Sequence, residues 1–158
     1  MKKNFKPRVE HINPTSIVDV WRLFEKSQLA AEQGLKSALD ECSPSDIRHY
    51  LLDYLMKPNF VGVMLKMGRR PIGQIIGHIE RRVLEKPKTF FFAWNVWVEP
   101  EFRSKGMMQL LSKECGRILK EKDIHVWECS VPEERSKWFE GREGFKAEKI
   151  YVRMRIKI

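Results

Sequence analysis

The most regular pattern in the chain is at its end, where Ile150, Val152, Met154, Ile156 and Ile158 alternate with Tyr151, Arg153, Arg155 and Lys157. A period of two with one apolar and one basic face predicts a strand. Arg8 to Ile12 reads as a short first strand. Ile17, Val20, Trp21 and Phe24 then share one helical face after Pro14, and this helix runs to about Ala31. Gln33 to Asp40 either continues it or breaks at Gly34. Ser43, Pro44 and Asp46 spell a second helix start, with a capping hydroxyl, a first-turn proline and an acid three residues on. Ile47, Tyr50, Leu51, Tyr54 and Leu55 form its expected buried stripe. Phe60 to Met67 and Pro71 to Val83 predict an antiparallel hairpin joined by Gly68-Arg69-Arg70. Gly73 and Gly77, inside the second of these strands, let another backbone or a ligand approach closely. Thr89 to Val98 is an apolar strand whose Phe90, Phe91, Phe92, Trp94, Val96 and Trp97 fill both faces of a covered sheet. A helix from Gly106 to about Lys120 would bury Met107, Leu110, Leu111, Cys115, Ile118 and Leu119. Ile124 to Cys129 predicts a short strand and Pro132 to Phe139 a short helix. The whole, residues 1–158, reads as one α/β domain around a mixed sheet.

Composition narrows the possibilities. A chain of 158 residues, 42% hydrophobic and 32% charged, suffices for one domain with a sizeable core. No apolar run approaches the roughly 20 residues that span a bilayer, so no membrane partner is expected. The basic residues from Lys2 to Arg8 lack the apolar segment of a secretory signal, which makes a cytoplasmic setting the expectation. Cys42, Cys115 and Cys129 are too far apart for a disulfide framework or paired metal ligands, and Cys115 and Cys129 read as buried reduced thiols. His11, His49, His78 and His125 form no metal-binding HExxH arrangement, so no metal is expected. A net charge of +9 favours anionic partners. It comes without the aromatic platform of nucleic-acid binders, which argues against nucleic acid and leaves an acidic protein as a partner. Monomer and homodimer both remain open.

The run Val98-Glu99-Pro100-Glu101-Phe102-Arg103-Ser104-Lys105-Gly106-Met107-Met108 leaves the apolar strand and opens a helix. Backbone N–H groups at such a helix N-terminus, with arginine, lysine and glycine at the bend, can hold phosphate oxygens. A solvated basic turn ahead of a surface helix would share this composition. The run lacks the extra glycines of the dinucleotide fingerprint and the Gly-Lys-Ser/Thr ending of a nucleotide P-loop. It resembles instead the acyl-coenzyme A pyrophosphate loop of the GCN5-related N-acetyltransferase (GNAT) family, Arg/Gln-x-x-Gly-x-Gly/Ala after a strand ending Val-x-Pro. Val98, Pro100, Arg103 and Gly106 fit, and Met108 stands where glycine or alanine is usual. The order of elements and the late pair Gly144-Phe145 match as well. The resemblance implies a mostly antiparallel central sheet flanked by helices, with a splayed strand pair forming an acyl-CoA cleft. It implies acetyl-CoA as acyl donor, held at the pyrophosphate by N–H groups of Ser104, Lys105, Gly106, Met107 and Met108. Arg103 and Lys105 would add charge there, and the backbone from Val96 to Val98 would pair with the pantetheine arm.

The implied reaction is direct attack of a primary amine on the acetyl thioester, which needs a base within reach. Thr89 to Val98 holds no carboxylate, and Asn95 is its only strongly polar interior candidate, able to orient a donor or water. Glu99 occupies the variable motif position, where a surface side chain is expected. His78 and Glu80 share a strand face and would relay a proton through water if that face lined the cleft; otherwise they sit at the sheet rim. His125 and Glu128 alternate to opposite faces, so at most one points into any cleft, and Glu128 is the candidate, with surface pairing its alternative. The family's late tyrosine, four residues before the glycine of the Gly-Phe pair, falls here on Glu140. A preferred asparagine falls on Glu133, and Tyr151 is a remote substitute. The expected function is N-acetyl transfer to a small-molecule or peptide amine, with a highly cationic acceptor disfavoured unless the cleft is acidic. The alternative is a catalytically weak or inactive protein of this fold that binds other proteins, through Trp21, Tyr50, Tyr54 or Trp138.

Overall fold

A computed structural model describes residues 6–30, 42–84 and 86–129. The elements expected at 33–40, 132–139 and 150–158 lie outside the described residues, as do Glu133, Trp138, Glu140, Gly144, Phe145 and Tyr151. Among the described residues there are five strands: β1 (Pro7–His11), β2 (Phe60–Met67), β3 (Arg70–Arg81), β4 (Thr89–Val98) and β5 (Trp127–Cys129). The helices are α1 (Ile17–Leu29), α2 (Pro44–Leu55) and α3 (Met107–Glu121). The strands lie in chain order across one sheet. β1 to β4 run antiparallel to their neighbours, and β5 is parallel to β4 because α3 carries the chain back between them.

Local signals place the helices. Asn13 caps a short 3-10 turn at Pro14–Ser16 that leads into α1. Ser43 Oγ accepts from the Asp46 N–H at 3.1 Å and donates to the Asp46 carboxylate at 2.7 Å, which fixes the start of α2. In α3 the residues spaced by four, Leu111, Cys115 and Leu119, face the sheet. α3 covers one face of the sheet, burying Val63, Leu65, Ile75, Phe91 and Val98. α1 and α2 cover the other, over Met64, Ile76 and Trp97.

Four expectations need correction. Tyr50 and Leu110 are exposed rather than buried, because each flanks the narrow stripe its helix turns to the sheet. Cys129 is exposed at the end of β5. β5 begins at Trp127 and not Ile124, because the Ile124 N–H closes α3 by donating to the Leu119 carbonyl at 2.9 Å.

Candidate functional site

The site is organised by an irregularity in β4. Ile76 pairs with Asn95 but Gly77 pairs with Ala93, so Trp94 has no partner across the strand pair. This β-bulge turns two successive side chains to the α1/α2 face. Trp94 packs edge-on against Phe24 and Tyr54, with ring centroids at 5.6 and 5.1 Å. Asn95 donates to Ser27 Oγ of α1 and accepts from Gln74 Nε2 of β3, both at 2.9 Å. Its amide is therefore committed to a buried network that ties α1 to the sheet.

The bulge also marks where β5 stops. Among the described residues β5 pairs with Phe91, Phe92 and Ala93 and no further along β4. The Phe91 N–H donates to Val126 on the β5 side, whereas the Glu99 N–H donates to Ile72 of β3. Alternation back from Glu99 puts the N–H and C=O groups of Val96 and Val98 on the side away from β3. Arg103 Nε donates to the Val98 carbonyl there at 2.9 Å.

The turn after β4 is compact. A 3-10 turn spans Pro100–Phe102, and Ser104 and Gly106 follow with φ of +59° and +75°. Gly106 is the N-cap of α3, and a Cβ added there would meet only the Gln109 Oε1, in ordinary contact at 4.0 Å. The N–H groups of Phe102 and Arg103 are used within the turn, and the next backbone bond runs from Leu110 N–H to the Gly106 carbonyl. Ser104 to Gln109 thus present N–H groups with no acceptor among the described residues. The side chains of Met107 and Met108 pack against the core beneath α3, leaving those amides clear. The Arg103 guanidinium stacks on Trp97 at 4.6 Å, and Lys105 Nζ donates to the Glu101 carbonyl at 2.8 Å.

Glu99 departs from expectation. Its side chain is only 3% exposed, and its carboxylate is shared by Lys26 of α1 and Arg70 of β3. Arg70 also reaches Glu101 at 2.6 Å. The reason is the path of the chain: the end of β4 passes between α1 and the start of β3, where a carboxylate can be buried only when paired.

On the α1/α2 face, His78 Nε2 lies 2.6 Å from Glu80 Oε1, and the Tyr54 hydroxyl meets His78 Nδ1. These groups line a cleft of about 420 Å³ together with Lys57, Asn59 and Arg81. Burial pushes the Tyr54 phenol above its ordinary range. In the sequence Tyr54 reads as one member of an apolar stripe. Its only sequence signal is that a buried phenol needs a partner for its O–H. Glu128 stands beside Phe92, which in turn stands beside His78, but its carboxylate is clasped by the Arg82 guanidinium at 2.8 and 2.6 Å. His125 is exposed and pairs with Asp123. Glu140 lies outside the described residues.

Solved structures share this fold. A GCN5-related N-acetyltransferase from Ralstonia eutropha superimposes with a TM-score of 0.75 at 15% identity, over 94% of this chain and 98% of the other. The chain has the GNAT fold. A predicted acetyltransferase from Clostridium acetobutylicum, solved with acetyl-CoA, matches with a TM-score of 0.74 at 11% identity over 95% of this chain and 96% of its own. An aminoglycoside acetyltransferase from an uncultured soil metagenomic sample, bound to sisomicin, gives 0.70 at 13% identity, with 96% of each chain covered. No protein-family model matches the sequence, and no curated protein does.

Proposed function

We propose that this protein is an acetyl-CoA-dependent N-acetyltransferase acting on a primary amine. The observation that carries the reading is the row of N–H donors from Ser104 to Gln109, without acceptors among the described residues, beside the edge of β4 that carries Val96 and Val98. Such a row can hold a diphosphate, with Arg103 and Lys105 adding positive charge. Gly106 permits the bend, since its φ lies where side chains are strained. The Val96 N–H and C=O and the Val98 N–H suit an amide-bearing arm laid along the strand. Bound acetyl-CoA supplies an activated thioester carbonyl: the amine nitrogen forms the new C–N bond, the C–S bond breaks, and the nitrogen's proton is returned to the thiolate.

Glu80 and His78 face the cleft in which the acceptor's ammonium would lose its first proton. Structural neighbours include acetyltransferases of aminoglycosides, but Lys57 and Arg81 beside the single carboxylate of Glu80 do not suit a polycation, so small primary amines and peptides head the acceptors to be tried and aminoglycosides follow. Three free cysteines suit the reducing cytoplasm, where no disulfide is required. No helix among the described residues is long and apolar enough to cross a membrane.

Calorimetric titration with acetyl-CoA and coenzyme A tests the proposal, alongside Gly106→Asp, whose carboxylate would compete for the same N–H groups. Heat in the wild type and none in the variant is expected, followed by thiol release with an accepted amine. A wild type silent toward both ligands at millimolar concentration would leave no support for the acetyltransferase.

A further inference from the structure

The cleft holds a row of three polar side chains whose hydrogen bonds fix one another, and their meaning rests on the acetyltransferase reading above. Tyr54 lies in the last turn of α2 and is 3% exposed, its ring set edge-on against Trp94 and Phe60. Its hydroxyl meets His78 Nδ1, and the other ring nitrogen, Nε2, meets Glu80. An ionised carboxylate can only accept, so Nε2 carries a hydrogen. Burial raises the Tyr54 phenol, so the hydroxyl keeps its proton and donates it to Nδ1. One neutral tautomer of His78 satisfies both contacts. Its lone pair then points into the core beneath α2, away from the cleft. The side chain of the row most open to the cleft is Glu80, 42% exposed against 23% for His78.

We propose that Tyr54 is a positioning residue, holding His78 as the Nε2–H tautomer so that His78 fixes Glu80 as the group that takes the proton from the acceptor's ammonium. The proton passes from nitrogen to a carboxylate oxygen of Glu80, directly or through one water. Glu80 passes that proton on to solvent, the freed nitrogen lone pair attacks the thioester carbon, and as the C–S bond breaks the nitrogen's second proton goes to the departing thiolate. His78 keeps its protonation state throughout.

Nitrogen-15 NMR of the His78 ring, assigned with His78→Gln, tests this without substrate. The wild type is expected to show the Nε2–H tautomer with a hydrogen-bonded Nδ1. In Tyr54→Phe, which removes one oxygen and keeps the ring contacts, the Nδ1 resonance moves downfield to that of a lone pair without a hydrogen bond, while Glu80 still holds the hydrogen on Nε2. With an accepted amine, Tyr54→Phe lowers kcat about tenfold and leaves the KM for acetyl-CoA unchanged. Glu80→Gln lowers kcat about 100-fold, the lower end for loss of a positioned base. A wild-type Nδ1–H tautomer, an Nδ1 resonance indifferent to the Tyr54 hydroxyl, or full kcat in Glu80→Gln overturns the proposal. A wild type that releases no thiol with any amine overturns the acetyltransferase reading and the role of Glu80 with it, while the spectrum still decides the role of Tyr54.

Discussion

The same small substitution at two glycines should move stability in opposite directions. Gly77 of β3 lies against β4 so closely that an added Cβ would sit 2.2 Å from the Phe92 carbonyl oxygen and 2.6 Å from the Phe91 ring. Phe91 is fully buried, and the carbonyl belongs to the backbone next to the bulge, so neither can swing aside. Reaching even a 3.0 Å contact requires the strands to part by about 0.8 Å. Overpacking of this kind costs about 3 kcal/mol, the upper part of its usual range. Gly116 in α3 has nothing within 4 Å of its would-be Cβ. Alanine there gains helix propensity of about 1 kcal/mol. For a chain of this length each kcal/mol moves Tm by about 2–4 °C. Calorimetric melts should therefore show Gly77→Ala lower by about 6–12 °C and Gly116→Ala higher by about 2–4 °C. Coenzyme A heat should weaken only in the first, because only there is the bulge disturbed. A Gly77→Ala protein melting with the wild type would mean that β3 and β4 do not approach as closely as described.

Glu99→Ala should cost about 3 kcal/mol in urea unfolding, the lower end for breaking a buried ion pair, since Lys26 and Arg70 keep partial contact with water. No loss would mean that the carboxylate is not buried between them. Native thiol titration near neutral pH should count Cys42 promptly and Cys129 more slowly, since burial raises the latter's thiol, with Cys115 reacting only after unfolding because burial pushes its thiol up to about 12; three thiols reacting promptly in the native protein would contradict its burial. Hydrogen bonds from Arg117, then His11, hold the Glu114 carboxyl down at about 2, well below its usual range. A depressed carboxylate stabilises above its ordinary value and ceases to as pH falls toward the folded one. The Tm gap between wild type and Glu114→Gln should therefore persist above about pH 5 and close toward about pH 2, and a gap independent of pH would refute the pairing.

Much of the fold was legible because its signals are local. β4 matches its expected bounds at both ends, since an unbroken apolar run closes on Val98 and Pro100. The phosphate-loop candidate was legible for a similar reason: a glycine before an amphipathic helix, flanked by cations, needs no distant partner to be seen. What escaped depends on contacts far apart in the chain. Glu99 reads as a surface acid until Lys26 and Arg70 close on it. Tyr54 reads as core until His78, on another element, accepts from its hydroxyl. Asn95 reads as a polar candidate in the site until Gln74 and Ser27 consume its amide. The width of a helix's buried stripe also belongs to the tertiary structure, which is why Tyr50 and Leu110 fell on the wrong side of it.

The least legible feature is the one that joins the two halves of the site. Without an extra residue, strict alternation from Phe91, whose N–H faces β5, would turn the N–H of Glu99 to β5 as well. Glu99 instead donates to Ile72 of β3, so the parity changes once along the strand, and it changes at Trp94. That shift gives the outer edge to Val96 and Val98, next to the amide row that opens α3. It also sends Trp94 to the α1/α2 face, where its ring braces Tyr54 above His78. One inserted residue thereby separates a strand edge suited to a cofactor arm from a sheet face suited to an acceptor. Both are reached from the same few residues of β4, the arrangement that transfer between two bound molecules requires.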